Sequence, residues 1–233
     1  MAITMNHMIY DILEIASSGG LPADFSISET QIQYWIEQTR AILIKQKLAK
    51  NEDISDAWVN YIPCVGLELA DSSECCEAPS GCYILKSTKR LPSTIDTWRD
   101  NSIISVSTMD GSLISKSNPL KVKYLSHNKY TSKIKAWYIK NNYLYIVNDE
   151  FLELVEVAGL FETPSDLKRF ADCGGNSCFN NDSNYPVTLS LATEITDIIL
   201  KMKIIPFMTS PKDNSNNSNG QTPDQQAAEK GAN

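Results

Sequence analysis

Residues 135–147, KAWYIKNNYLYIV, form the most regular pattern in the chain. Two runs rich in aromatic and β-branched residues flank Asn141 and Asn142, and asparagine tolerates the positive φ angles of a tight turn. This pattern predicts a β-hairpin. Similar short apolar runs lie on both sides of it, so the chain from about residue 64 to 161 is predicted to be all β.

The other predicted strands share short alternating or apolar runs that end at turn residues. They are CVGLELA (64–70), CYILKS (82–87), SIISVSTMDGSLIS (102–115), LKVKYLS (120–126) and FLELVEVAGLFETP (151–164). Asp110-Gly111 is predicted to form a hairpin turn within the third of these runs. Several short strands joined by hairpins favour an antiparallel sandwich or a small barrel over a doubly wound sheet.

Helical periodicity marks the two ends of the chain. Residues 5–18 and 29–49 have apolar side chains at helical spacing, and Ser28 with Gln31 forms a capping box for the second helix. A third helix is predicted over 188–203, with an apolar face that comprises Leu189, Ala192, Ile195, Ile199 and Met202. A short helix capped by Ser165 is predicted over 165–171.

These elements predict the α+β class, in which N-terminal helices and a C-terminal helix pack with an antiparallel β-sandwich or small barrel. The predicted parts are a helical part (1–62), a β part (63–164), a C-terminal helical part (165–210) and a disordered or partner-ordered tail (211–233). We expect one domain in which both ends pack together. The alternative is two domains that divide near residue 62.

Composition limits the class of function. The 233 residues carry a net charge of −7 and 42% hydrophobic residues, which is typical of a globular protein and not of one that coats nucleic acid. The N-terminal residues lack a basic region, and no stretch is apolar enough to span a membrane. We therefore expect no membrane partner and synthesis in a reducing cytoplasm.

Six cysteines are present, and none of them forms a CxxC pair. Free thiols are the expectation in a reducing compartment. The alternative is a zinc cluster formed by Cys75, Cys82, Cys173 and Cys178.

No catalytic motif is apparent. The two histidines, His7 and His127, have no acid or nucleophile nearby in the sequence, and Gly174-Gly175 lacks the lysine and hydroxyl residue of a phosphate loop. We predict that the protein is not an enzyme and requires no cofactor.

The chain between Gly111 and Asn148 contains seven lysines and no Asp or Glu. We call it the basic segment. Its lysines and the aromatic residues Trp137, Tyr138, Tyr143 and Tyr145 are compatible with nucleic-acid binding. Two other interpretations are an exposed hairpin whose lysines prevent edge-to-edge pairing and whose aromatic residues fill the core, and a patch that binds an acidic protein. The candidate DNA-facing or partner-facing lysines are Lys121, Lys123, Lys133 and Lys135.

The second helix has two faces. Trp35, Ile36 and Leu43 are predicted to lie in the core, whereas Arg40, Lys45 and Lys47 are predicted to lie on a solvated face. The alternative for the polar flank is a protein–protein contact.

The chain also resembles a known group of proteins in an ordered set of motifs. These are IYDILEIASSGGLPADFSISETQIQYWIEQTRAILIKQ (9–46), CVGLELADSSECC (64–76), LP (91–92), GLFETP (159–164), YPVTLSLATEITDIILKMK (185–203) and SPKDNSN (210–216). In this order they resemble the head–tail connector (adaptor or ring) proteins of podovirus-like tailed phages, in particular the crAss-like phages.

The resemblance implies a structural virion protein, made in the host bacterial cytoplasm, that forms a ring, usually dodecameric, beneath the portal. Its implied partners are copies of itself, the portal protein, the next tail or ring protein, and packaged DNA that passes through the channel without sequence-specific binding. In such proteins a helical part packs between neighbours and a β part faces the next ring. The implied subunit or portal contacts are Trp35, Arg40, Leu43, Ile44, Ile195 and Ile199. The alternative function is a nucleic-acid-binding accessory protein that uses the basic segment.

Overall fold

The computed structural model describes residues 3–18, 27–70, 84–96, 102–125, 129–130 and 133–208. The strands in these ranges are β1 (Asn60–Leu69), β2 (Ile84–Ser87), β3 (Ile103–Thr108), β4 (Ser115–Lys116), β5 (Ala136–Lys140), β6 (Tyr143–Val147) and β7 (Leu154–Gly159). The α-helices are α1 (Met5–Ser18), α2 (Glu29–Ala49), α3 (Pro119–Leu125), α4 (Leu189–Ile199) and α5 (Ile205–Met208). The predicted tail from residue 211 lies outside the described residues.

The two N-terminal helices have the predicted bounds. The hydroxyl of Ser28 accepts a hydrogen bond from the Gln31 amide and caps α2, as the capping pattern indicated. On α2, the residues at helical spacing that face inward include Ile32, Ile36 and Ile44, each with no exposed surface.

The described strands form one sheet in the order β3-β7-β1-β2-β6-β5-β4. The first and last strands of this order, β3 and β4, are joined by the predicted Asp110-Gly111 turn, where Gly111 has a φ of 85°. Ser107 and Leu113 form an antiparallel bridge, and the Ile114 amide donates to the Val106 carbonyl. The sheet therefore curls into a nearly closed small barrel, which confirms the predicted α+β class.

The predicted hairpin is present as β5 and β6, with φ angles of 53° at Asn141 and 62° at Asn142. The sheet is antiparallel except at β4, which pairs in parallel with β5. The fully antiparallel expectation was wrong at this position, because the chain leaves β4, forms α3 and returns to the same end of the barrel before β5.

The strand predicted over 120–126 is wrong, since this region forms α3. Asn118 accepts a hydrogen bond from the Leu120 amide through Oδ1, and Pro119 occupies the first helical position, where its missing N–H costs nothing. Alternation of apolar and lysine residues suggested a strand, but the cap and tertiary packing decided the conformation.

The C-terminal helical region differs in phase from the prediction. Thr188 caps α4, and the residues that it buries are Leu191, Ala192, Ile195 and Ile199. Leu189 and Met202 are 73% and 71% exposed, so the predicted face was wrong at both of its ends. A π-helical turn over Leu200–Ile204 shifts the phase, and Ile204 is buried in place of Met202. The predicted helix after Ser165 is a 3-10 turn over Pro164–Arg169 that begins one residue earlier.

One apolar cluster includes side chains from the helices and from the barrel interior. Helices α1, α2 and α4 pack at the end of the barrel where β1 begins and β7 ends, and Trp58 and Phe161 lie there. We call this the helical end. The opposite end, where β3, β1 and β6 finish, is called the free end.

Cys64 and Cys173 form a disulfide, so the expectation of free thiols was wrong for this pair. Cys64 lies where the β1–β7 register shifts, between Ile62 and Val65, and its Cα is 5.4 Å from that of Cys173. Residues 109 positions apart in the sequence meet only in the folded chain, which no spacing rule could indicate. Cys178 is free, whereas Cys75, Cys76 and Cys82 lie outside the described residues.

Candidate interaction surfaces

Arg40 is fully buried, so its predicted place on a solvated face was wrong. Its Nε donates to the Pro186 carbonyl at 2.9 Å, and its two terminal nitrogens donate to the carbonyls of Phe161 and Trp58 at 2.8 Å each. Burial lowers the pKa of the Arg40 guanidinium. Three backbone acceptors nevertheless match the fixed fork of donors, so the group holds α2 against the helical end of the barrel.

Glu37, one turn before Arg40, makes a second connection. Its Oε1 accepts a hydrogen bond from the Ser165 amide at 3.0 Å. Burial raises the pKa of this carboxyl group, although the hydrogen bond and nearby Arg40 act in the opposite direction. Glu37 and Arg40 together therefore connect α2 to backbone groups at residues 58, 161, 165 and 186.

The other helical residues that the resemblance implied as contacts also lie inside the subunit. Trp35, Leu43, Ile44, Ile195 and Ile199 have at most 8% of their surface exposed. Neighbouring apolar side chains on the same helices are exposed instead, among them Tyr34 and Ile42 on α2. The helices can contact another molecule through these exposed side chains.

The candidate lysines of the basic segment are exposed wherever the structure describes their side chains. Lys121 and Lys133 have exposed side chains, whereas the side chain of Lys123 lies outside the described part of the chain. Lys135 is also exposed, and its Nζ lies 2.6 Å from a carboxylate oxygen of Asp149. The structure therefore places three of the four predicted lysines on an accessible surface, and one of these three pairs with an acid.

Three of the four aromatic residues named in the basic segment are not available to stack on bases, whereas the fourth, Tyr143, is half-buried. Trp137 faces the barrel interior and donates through Nε1 to the Ile114 carbonyl. Tyr138 and Tyr145 stack at 5.1 Å on the outer side of the barrel and are at most 9% exposed. Val122 of α3 packs against this pair, so α3 covers them. The interpretation in which these aromatic residues fill cores is confirmed for all three.

A family model described as phage tail ring protein 2 matches residues 7–226. The chain belongs to this family of crAss-like phage ring proteins. No curated protein matches it. Family membership makes this ring protein a structural component of the virion that associates with copies of itself and with other tail proteins.

The ring protein carries a concentration of exposed apolar side chains at its free end. The strand register places them together, since Thr108 pairs with Val155, and Ala136 pairs with Val147. The exposed residues at this end are Leu69, Met109, Leu113, Ile134, Phe151 and Leu154, with exposed fractions from 40% to 90%. Such a group is typical of a surface that another protein covers.

Within the described ranges, the ring protein has no group of three or more His, Cys, Asp or Glu residues suited to a metal ion. None of its described helices has the length and apolar character needed to cross a membrane.

Proposed function

We propose that the chain is the subunit of a dodecameric ring that connects the portal to the tail and extends the DNA channel. The observation that carries this proposal is the family match over residues 7–226. The separation of the molecule into a helical end and a free barrel end supports it, because a stacked ring must contact one component above and another below. The proposed role is structural and involves no catalysis.

Within the ring, α2 is proposed to contact a neighbouring subunit through Tyr34 and Ile42, since the side chains first implied for this role form the core. The region over 188–203 and the tail from residue 211 are proposed to contact the portal. Leu189 and Met202 supply exposed apolar surface in this region. The free end of the barrel is proposed to meet the next tail or ring protein.

Packaged DNA is proposed to pass through the channel without sequence-specific contacts. A net charge of −7 disfavours retention of phosphate by the subunit as a whole. The rival function, nucleic-acid binding by the basic segment, is disfavoured because three of its four candidate stacking residues, Trp137, Tyr138 and Tyr145, are buried. Exposed lysines alone supply only the salt-dependent, sequence-independent part of such binding.

Quantitative peptide mass spectrometry on purified virions tests the proposal. We expect a copy number of this chain close to that of the portal protein. Absence from virions, or hundreds of copies in each virion, contradicts the connector role. Salt-dependent DNA binding by the free subunit that disappears when Lys121, Lys123, Lys133 and Lys135 are replaced together supports the rival.

A further inference from the structure

The outer surface of the barrel has a basic face. Its exposed lysines are Lys121 of α3, Lys129 and Lys133 among the described residues between α3 and β5, and Lys140 at the end of β5. Val122 packs on the barrel, and Leu120 is two residues away on the helix, about 200° around the axis. Leu120 therefore points away from the barrel and is 69% exposed. Tyr130, 84% exposed, adds a second large apolar group.

A second face, the acidic face, lies on the outer side of β3, β7 and β1. Val155 and Val157 of β7 point into the core, so Leu154 and Glu156 point outward. The same alternation places Tyr61 of β1 and Ile104 of β3 on the outside, where they are 52% and 46% exposed. The neighbouring acids Glu68 and Glu153 are exposed, and Glu156 is half-buried. This face combines apolar groups with carboxylates and has no lysine or arginine on its three strands.

The two faces lie on opposite sides of the barrel. In the circular order that β3 and β4 close, β6 lies three steps from β7 in one direction, and β5 lies three steps from β7 in the other. Seven strands spaced about 4.8 Å apart and tilted by about 40° enclose a circle about 14 Å across. The Lys121 and Glu156 side chains of one subunit therefore cannot meet.

We infer that the acidic face of one subunit binds the basic face of the next subunit, with α3 of one copy against β3, β7 and β1 of its neighbour. This inference rests on the proposed ring. A ring closed by rotation joins two different surfaces of identical subunits, and opposite faces of one barrel satisfy that requirement. Apolar groups on both faces supply buried area, and the flanking charges are complementary.

The charge arrangement also selects the type of assembly. Two acidic faces repel one another, as do two basic faces, so a twofold dimer through either face is disfavoured. A head-to-tail contact pairs lysine with glutamate at every interface. The basic segment of one subunit is thus assigned a protein partner, namely the acidic face of another copy of the same chain.

Zero-length crosslinking of intact virions with a carbodiimide tests the contact, because the reagent joins an amine and a carboxylate only when they touch. We expect crosslinks that join Lys121 or Lys129 to Glu68, Glu153 or Glu156. The intramolecular Lys135–Asp149 pair serves as the positive control. If the chain is present at the portal ratio and this control crosslink forms without any link between the two faces, the inference is overturned while the proposed ring stands.

Charge exchange provides the second test. Lys121→Glu and Glu156→Lys, each introduced alone, are expected to lower the copies of this chain per virion at least about tenfold through like-charge repulsion, and the double variant is expected to restore them. Lys50→Glu, an exposed lysine at the end of α2, is the matched control and should leave the copy number unchanged. Single variants that assemble as well as the wild type contradict the inference. If the wild-type chain itself is absent from virions, both the proposed ring and the inferred contact are contradicted.

Discussion

Arg40 connects three parts of the chain that are far apart in sequence. Its acceptors are the carbonyls of Trp58 before β1, Phe161 after β7 and Pro186 before α4. Each carbonyl lies at the helical end, where the regular sheet has ended and strand pairing cannot satisfy it. The buried guanidinium of Arg40 therefore donates the hydrogen bonds that these three backbone carbonyls would otherwise lack.

We predict that Arg40→Met lowers the free energy of unfolding by about 3–5 kcal/mol, because it leaves three buried carbonyl oxygens without donors. Urea unfolding of the full chain measures the change. Lys45→Met, an exposed position on the same helix, should alter the free energy by less than about 0.5 kcal/mol. Equal urea midpoints for Arg40→Met and the wild type would show that the three hydrogen bonds contribute little.

Glu37 should make stability depend on pH. Burial raises the pKa of Glu37 in the folded state above its ordinary value of 4.5, so the folded protein holds this proton more tightly than the unfolded chain. The stability that this group contributes is full below pH 4.5 and is lost as pH rises through the folded pKa.

The isosteric variant Glu37→Gln keeps an oxygen for the Ser165 amide and removes the titration. We expect the wild type to lose unfolding free energy relative to Glu37→Gln as pH rises above 4.5. Urea unfolding of both proteins between about pH 4 and pH 8 measures the difference. If the difference in unfolding free energy between the wild type and Glu37→Gln is constant over this range, the raised pKa of Glu37 is contradicted.

At the scale of single elements, local rules explain the β5–β6 hairpin and the start of α2. Both depend on contacts within a few residues, namely a turn with two positive φ angles and a hydroxyl that caps a helix. The same local rules failed for α3. Its sequence alternates like a strand, but Val122 packs on stacked Tyr138 and Tyr145, which come later in the chain.

The hairpin allows a matched comparison. Asn142→Ala should lower the free energy of unfolding by about 1–2 kcal/mol, because Ala carries a steric cost at a φ of 62°. For a chain of this length that corresponds to a fall in Tm of about 2–8 °C in calorimetry. Asn142→Gly, which accepts positive φ without strain, should stay within about 1 kcal/mol of the wild type. If Asn142→Ala and Asn142→Gly have the same Tm, position 142 does not require a left-handed backbone conformation.

At the scale of the whole molecule, the Cys64–Cys173 disulfide ties the loop after the 3-10 turn at 164–169 to β1. Reduction, or the double variant Cys64→Ser/Cys173→Ser, should lower the free energy of unfolding by about 2–5 kcal/mol, since the bond closes a long loop in the unfolded chain. Denaturant unfolding with and without reductant measures this, and Cys178→Ser is the control, because it keeps the disulfide and should lose the same stability on reduction as the wild type. Alkylation of both Cys64 and Cys173 in protein isolated without reductant would contradict the bond.

Closure of the barrel has a second consequence at this scale. It turns a basic segment and an acidic strand, which follow one another in the sequence, into two faces that point in opposite directions. In an open sheet both could have served one partner. In the barrel they can each meet a different neighbour, which is what a ring requires.

The amino-acid sequence by itself determined the class of the fold, the bounds of α1 and α2, and the β5–β6 hairpin, because caps, turn residues and apolar periodicity act over a few residues. Its ordered motifs also indicated the ring protein family. Only the tertiary structure decided that Arg40 is buried, that residues 119–125 are helical, that Cys64 meets Cys173 and that the charged faces are opposed. Each of these depends on groups between about 15 and 150 positions apart, whose proximity arises from packing of the helices and closure of the barrel.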